Sequence, residues 1–201
     1  MNVQFPRILR PLWGNVVWRK NPSEKVIYLT FDDGPVPEAT PLVLDILDKY
    51  DVKATFFSVG ENVKKHPETY NEILKRGHKT GNLTFNHLKG FEVSVEEYVE
   101  NVQKAAKYID STLFRPPYGR ISFKQKKVLE SDYQIIMWDI ITHDYNRKLS
   151  PKTIMNTIKR YSRNGSIVVF HDSIKAKDNL LAVLPTAIEY WKNEGYTFDV
   201  L

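Results

Sequence analysis

Short runs rich in Val, Ile, Tyr, Phe and Thr alternate along this chain with longer segments of helical apolar spacing, and that alternation constrains the fold more than any other feature. Lys25 to Phe31 reads as a buried strand. After a Gly-Pro loop, Leu42, Leu44, Ile46 and Leu47 follow at helical spacing. Further strands are predicted near Ala54 to Val59, just before Leu83, ending at Arg115, at Tyr133 to Trp138, at Ser166 to Phe170 and at Tyr196 to Val200. Helices are predicted near Pro67 to Arg76, Val95 to Ile109, Phe123 to Glu130, Pro151 to Tyr161 and Leu180 to Lys192. Repeated β and α units of this kind imply an α/β fold around a parallel sheet, open or closed into a barrel. In both, ligands bind where the strands end, so the residues just after each strand are the ones to inspect.

A chain of 201 residues, 42% of them hydrophobic, has enough apolar surface for one core and one domain. Residues 1 to 24 carry Pro6, Pro11, Trp13, Trp18 and Pro22 and read as an irregular segment packed on a domain that runs from 25 to 201. The 29 basic and 24 acidic residues are dispersed, and the net charge of +5 comes with no nucleic-acid recognition motif, so no nucleic-acid partner is expected. Cysteine is absent, which excludes disulfides and leaves only His, Asp and Glu as strong metal ligands. Met1 to Lys20 lacks the basic, apolar and small-residue order of a signal peptide, and no apolar stretch reaches membrane-spanning length. A cytoplasmic chain without a transmembrane segment is the default expectation.

Four predicted strand ends carry chemistry. The first ends in Thr30-Phe31-Asp32-Asp33-Gly34-Pro35, a carboxylate doublet that suits either a solvated turn or a metal ligand beside a base. Another ends in Phe114-Arg115-Pro116-Pro117-Tyr118-Gly119, where two prolines fix the loop that follows the arginine. Trp138-Asp139-Ile140-Ile141-Thr142-His143-Asp144-Tyr145 follows a third, and Val168-Val169-Phe170-His171-Asp172 closes the last. A lone histidine after an apolar strand is ordinarily a boundary residue; convergence with acids and an arginine on one face gives it a chemical reading.

Thr30 to Pro35, Arg115 to Gly119 and His171-Asp172, in this order and spacing from Lys25 to Leu201, resemble the signature motifs of the NodB-homology polysaccharide deacetylases, carbohydrate esterase family four. The resemblance implies a distorted (β/α)7 barrel, a divalent metal such as zinc, and removal of N-acetyl or O-acetyl groups from N-acetylglucosamine polymers, peptidoglycan or related glycans. It further implies Asp32 as general base, Asp33 and His87 as metal ligands, Arg115 as the partner of Asp32, and the Tyr118 N–H as an oxyanion donor. His171 would then protonate the leaving amine, oriented by Asp144. The family motif with two histidines four residues apart corresponds to Leu83-Thr84-Phe85-Asn86-His87, so leucine stands at the first ligand position and metal binding is expected to be weak or absent. Leu83 is expected at an open strand end where a polar group would meet metal and water. His66, His78 and His143 are candidates to stand in, each read as a surface residue. Two readings follow: a hydrolase with a weakly held metal, and a catalytically silent glycan-binding protein. Retention of Asp32, Arg115, Asp144 and His171 together favours the hydrolase.

Overall fold

In a computed structural model that describes residues 4 and 6–201, the predicted alternation becomes a parallel half-closed barrel. The elements run β1 (Val26–Asp32), α1 (Thr40–Lys49), β2 (Thr55–Ser58), α2 (Gly60–Lys65), α3 (Pro67–Lys75), β3 (Lys79–Asn82) and α4 (Val95–Ala106). They continue with β4 (Leu113–Phe114), α5 (Phe123–Leu129), β5 (Gln134–Ile135), β6 (Ile140–Ile141), α6 (Pro151–Tyr161), β7 (Ser166–His171), α7 (Lys177–Asn193) and β8 (Thr197–Phe198). Strand order is β5-β4-β3-β2-β1-β7-β6, all parallel, with β8 paired to Val26 and Ile27 at the start of β1.

The two-residue period of a strand sorts each side chain to the helices or to the barrel interior. Ile27, Leu29 and Phe31 point outward and pack with Val43, Leu44 and Leu47 of α1, Ile154 and Ile158 of α6, and Leu184, Ile188 and Trp191 of α7. The alternate residues Tyr28, Thr30 and Asp32 face inward. Tyr28 packs with Phe57, Val59, Leu83, Ile136 and Ile167 in a small interior cluster, while Asp32 closes the strand at the barrel mouth. On β7 the same alternation sends Val168 and Phe170 to the outer core and Ile167 to the inner one. His171 lies on the inner set with Ile167, and it is the register partner of Asp32 on β1. Adjacent strands thus deliver an acid and a histidine at one level.

The segment before β1 runs beside β5, at one end of the sheet, and reaches the start of β7, where Arg19 bridges Ser166. Val17 N–H donates to Ile135 O at 2.9 Å and Val17 O accepts from Met137 N–H at 2.8 Å, while Lys20 N–H donates to Gly165 O at 2.9 Å. Of the expected irregular segment, residues 1–3 and 5 lie outside the described residues; Arg7–Trp13 forms a 3-10 turn with Pro11 inside it.

Several boundaries differ from expectation. The predicted strand at Tyr133 to Trp138 contracts to β5, because Met137 pairs with Val17 instead of extending the ladder, and the chain re-enters the sheet as β6. Asp139 therefore precedes a strand at the far end of the barrel. It is fully buried there, where Arg163 donates through Nε at 2.6 Å, Ser166 Oγ at 3.0 Å and Arg10 Nη1 at 3.1 Å. Burial alone would raise its carboxyl, and Arg163 and Ser166 hold it below the ordinary value. It is a lock on the barrel base and not a residue of the mouth. Helix α2 escapes the sequence reading because its six residues bury one apolar side chain, Val63.

Candidate active site

The mouth of the barrel opens into a cleft of about 770 Å³ lined by Asp32, Asp33, His87, Tyr118, His143, Tyr145 and His171 among others. Its floor is built from two buried ion pairs. Arg115 follows Phe114 of β4, and its side chain turns into the interior, fully buried. Nη1 donates to Asp32 Oδ1 at 2.5 Å and to Thr30 Oγ1 at 2.9 Å, Nε to Ile136 O at 3.3 Å and Nη2 to Met137 O at 3.2 Å. Its guanidinium also lies 3.9 Å from the Phe57 ring centroid. An ion pair this deep is held by the number of its donors, since desolvation opposes the Coulomb attraction. Burial raises the Asp32 carboxyl above the ordinary value, with Arg115 and His171 pulling it back, and a base raised in this way is closer to proton balance near neutral pH. Burial also draws Arg115 below the usual guanidinium range.

The second pair uses β7 and the loop after β6. His171 Nδ1 meets Asp144 Oδ1 at 2.7 Å, and the His171 backbone N–H donates to Asp144 Oδ2 at 2.9 Å, so both carboxylate oxygens fix one residue. Thr142 Oγ1 donates to Asp144 at 3.1 Å. Desolvation by burial would lower the imidazole, but Asp144 outweighs it and raises His171 to about 9. The ring is a cation at neutral pH. With Nδ1 committed to Asp144, Nε2 is the nitrogen left for the cleft. Tyr145 stands edge-on to the ring, centroids 4.8 Å apart, and its hydroxyl shares a 2.8 Å hydrogen bond with His143 Nδ1.

Opposite these pairs, the third corner is looser. Asp33 and His87 are each about three-tenths exposed, with Asp33 Oδ1 and His87 Nε2 at 3.5 Å, and both residues have left-handed backbone, φ 81° and 57°. Asn62 Nδ2 holds the Asp33 carbonyl at 2.8 Å. Leu83 is 1% exposed and packs inward among Tyr28, Phe57, Val59, Ile136 and Ile167. The expectation of an open position is therefore corrected: β3 carries Leu83 into the interior cluster because it lies two residues beyond Gly81, whose missing side chain gives room to the Phe57 ring. Catalytic zinc sites take three protein donors and leave one position open. Asp33 and His87 offer two, leucine offers none, and among the described residues no group of three His, Cys, Asp or Glu is placed to hold a metal. The donors present do not fit a three-ligand centre.

The stand-in histidines are also corrected. His78 is buried, its Nδ1 accepting from Ala54 N–H at 3.2 Å, and burial lowers it to about 4. His143 is buried against the cleft and engaged by Tyr145. His66, half-buried, joins α2 to α3, outside the cleft lining.

Tyr118 sits in the turn fixed by Pro116 and Pro117 at φ 60°. That turn is closed by Gly119 N–H to Pro116 O and Arg120 N–H to Pro117 O, so neither bond consumes the Tyr118 N–H. Asp172 is the residue sequence reasoning left without a role. It accepts from Thr40 Oγ1 at 2.6 Å and Gly34 N–H at 3.2 Å, clamping the loop after Asp33. Burial pushes its carboxyl up to about 8, with hydrogen bonding from Thr40 opposing the rise. A Cβ on Gly34 would come within 2.0 Å of that carboxylate, which explains the glycine. The signal in the sequence was the Asp-Gly-Pro loop, but its partner lies 138 positions away.

The chain is a parallel α/β half-barrel that gathers an acid, an arginine and a histidine at its mouth, and residues 19–134 match the family described as "Polysaccharide deacetylase". This chain belongs to the polysaccharide deacetylase family. It is 35% identical over 195 residues to a peptidoglycan-N-acetylglucosamine deacetylase of Bacillus cereus, covering 92% of this chain and 90% of that protein. It is 34% identical to the peptidoglycan-N-acetylmuramic acid deacetylase PdaC of Bacillus subtilis, spanning 37% of that longer protein. The crystal structure of the Bc1960 peptidoglycan N-acetylglucosamine deacetylase superposes with TM-score 0.91 at 30% identity, covering 98% of this chain and 95% of that one. BA3943, a CE4 family pseudoenzyme from Bacillus anthracis, superposes with TM-score 0.83 at 27% identity, over 92% of this chain and 66% of that one. These likenesses agree with the expected distorted α/β barrel. Among the described residues no helix is long and apolar enough to cross a membrane.

Proposed function

We propose that this chain removes acetyl groups from N-acetylated glycans of the peptidoglycan type. The observation that supports the reading is the pairing of two separately buried proton-transfer groups, Asp32 with Arg115 and His171 with Asp144, at neighbouring strand ends of one cleft. Amide hydrolysis requires a base for the water, a donor for the oxyanion and an acid for the leaving amine. Asp32 takes a proton from the attacking water as its oxygen bonds to the acetamide carbon. The Tyr118 N–H donates to the developing oxyanion. His171, held as a cation by Asp144, gives its Nε2 proton to the sugar nitrogen as the carbon–nitrogen bond breaks, releasing acetate and a free amine. Asp32 and His171 each return to their starting protonation state by exchange with solvent.

The same reading makes Leu83 the replacement for a ligating histidine, which leaves Asp33 and His87 to hold any divalent metal weakly. Hydrolysis is correspondingly slow, because the proton groups remain and the third donor does not. The incomplete donor set also favours a second reading, a glycan-binding protein that keeps the cleft. Acetate release from peptidoglycan and chitooligosaccharides, with added zinc, separates them: measurable release supports the hydrolase, and glycan binding without any release supports the second.

A further inference from the structure

Among the described residues, half of the large apolar side chains left exposed lie in two neighbouring places, Ile8, Leu9 and Leu12 of the 3-10 turn and Phe123 and Val128 of α5. The two places are joined. The Trp13 and Phe123 rings stack with centroids 4.8 Å apart, and a Cβ at Gly14, just after the turn, would lie 3.9 Å from Lys126 Nζ of α5. We propose that this face is a docking surface for an anionic lipid bilayer, on which the chain lies without crossing it. The inference is independent of the glycan reading given above.

The turn is anchored, and its anchoring presents the apolar side chains. A 3-10 helix repeats every three residues, which sorts its side chains into three ridges. Arg10 and Trp13 form the inner one: Arg10 Nη1 and Nη2 each donate to Asp139 Oδ1 at 3.1 Å, and Trp13 packs on the cluster that contains Val16, Ile121 and Leu129. Leu9 with Leu12, and Ile8 with Pro11, form the other two ridges, and both face solvent; Ile8 is 85% exposed and Leu12 68%. On α5, Gln125 and Leu129 are buried, while Phe123, Lys124, Lys127 and Val128 share the exposed face. A single apolar residue on a surface needs no explanation, but a cluster held outward by an anchored backbone forgoes burial that a partner restores.

Charge decides which partner fits. No Asp or Glu occurs before Glu24, and none between Ser111 and Leu129, although that second stretch carries Arg115, Arg120, Lys124, Lys126 and Lys127. Lys124 and Lys127 stand beside Phe123 and Val128 on the exposed face, and neither has an ion-pair partner among the described residues; Glu130, the next acid along the helix, is taken by Lys126. Unneutralised ammonium groups next to aliphatic and aromatic side chains match the boundary of an anionic bilayer. There the apolar groups enter the acyl region while lysines, on flexible stems, stay among the lipid phosphates. A second copy of the chain docking by the same face would set these lysines against their own kind, whereas lipid phosphates neutralise them.

The test is flotation of the full chain with vesicles of phosphatidylcholine alone and of phosphatidylcholine mixed with phosphatidylglycerol. Three variants accompany the wild type: the pair Ile8→Ser and Leu12→Ser, the pair Lys124→Gln and Lys127→Gln, and Leu74→Ser, an exposed leucine on α3 as control. All these side chains are exposed, so none of the changes threatens the fold. The wild type should float with the phosphatidylglycerol vesicles, stay largely behind with phosphatidylcholine alone, and be released by sodium chloride at about 0.5 M. Each paired variant should lose about tenfold in partitioning, and Leu74→Ser should match the wild type. A wild type that floats with neither vesicle, or partitioning that neither pair alters, overturns the proposal. So does a dimer in lipid-free sedimentation that Ile8→Ser with Leu12→Ser dissolves, because the face then belongs to a second copy.

Discussion

Two sides of the same cleft are finished to different degrees. The Asp32–Arg115 and His171–Asp144 pairs are buried, with Arg115 donating to Thr30 Oγ1 as well as to Asp32, and Asp144 accepting from Thr142 Oγ1 and the His171 backbone N–H as well as meeting the imidazole. The Asp33–His87 corner is part-exposed, its two side chains face each other at 3.5 Å, and the neighbouring Leu83 packs downward into an apolar cluster. The contrast teaches that the two sides are held independently: the strand-end pairs are sealed inside the barrel, while the Asp33–His87 corner stays open beside a packed core, so that on the function proposed above proton transfer and metal holding can be changed separately.

The largest effect expected is on turnover. If the buried pairs carry the proton steps, Asp32→Asn and His171→Ala each lower acetate release by about 10²- to 10⁴-fold with an unchanged circular dichroism spectrum. Activity retained in either variant removes that residue from the proposed mechanism and breaks the contrast.

Next in size is the cost of unpairing the floor. Arg115→Leu leaves the Asp32 carboxylate in a dry site without its counter-charge, and chemical denaturation should show a loss of about 3–5 kcal/mol at neutral pH. The carboxyl of Asp32 should rise further, so the loss shrinks as pH falls and the group protonates. A loss below about 1 kcal/mol would mean that the pair behaves like a surface salt bridge.

A smaller, pH-dependent effect separates His171 from its asparagine variant. The folded imidazole titrates near 9, above its ordinary 6.5, so the proton it holds stabilises the fold fully below pH 6.5 and that contribution disappears as pH rises through 9. The stability gap between wild type and His171→Asn should therefore narrow between those two values. A gap independent of pH across that window would remove Asp144 as the cause of the shift.

How much of this was legible in sequence depends on distance along the chain. β1 and β7 were readable because continuous Val, Ile and Phe runs bury both faces, and the residues ending them, Asp32 and His171, followed directly. β5 was read as a longer strand, Tyr133 to Trp138, and β6 was not read as a strand, since nothing local reveals that Val17, far upstream, takes over the pairing at Met137 before the chain re-enters the sheet. For the same reason Asp139 looked like a mouth residue, when its partners Arg163 and Arg10 place it at the base. The identity of Leu83 was plain, but its inward packing was not, because it depends on a glycine two residues earlier yielding space to Phe57. His78 misled for a related reason: a polar residue next to a turn gives no hint that its ring accepts a backbone N–H inside the core.

Zinc titration by calorimetry on the wild type and Leu83→His tests the separation most directly. The wild type should bind zinc weakly and lose it to chelator. Leu83→His should bind at least about tenfold more tightly, and should also be less stable without metal by about 1–3 kcal/mol, since an imidazole among Tyr28, Phe57 and Ile167 lacks a partner until zinc supplies one. A wild type that keeps one equivalent of zinc through dialysis against chelator, or a Leu83→His variant with unchanged affinity, would contradict the assignment of Leu83 as the missing donor.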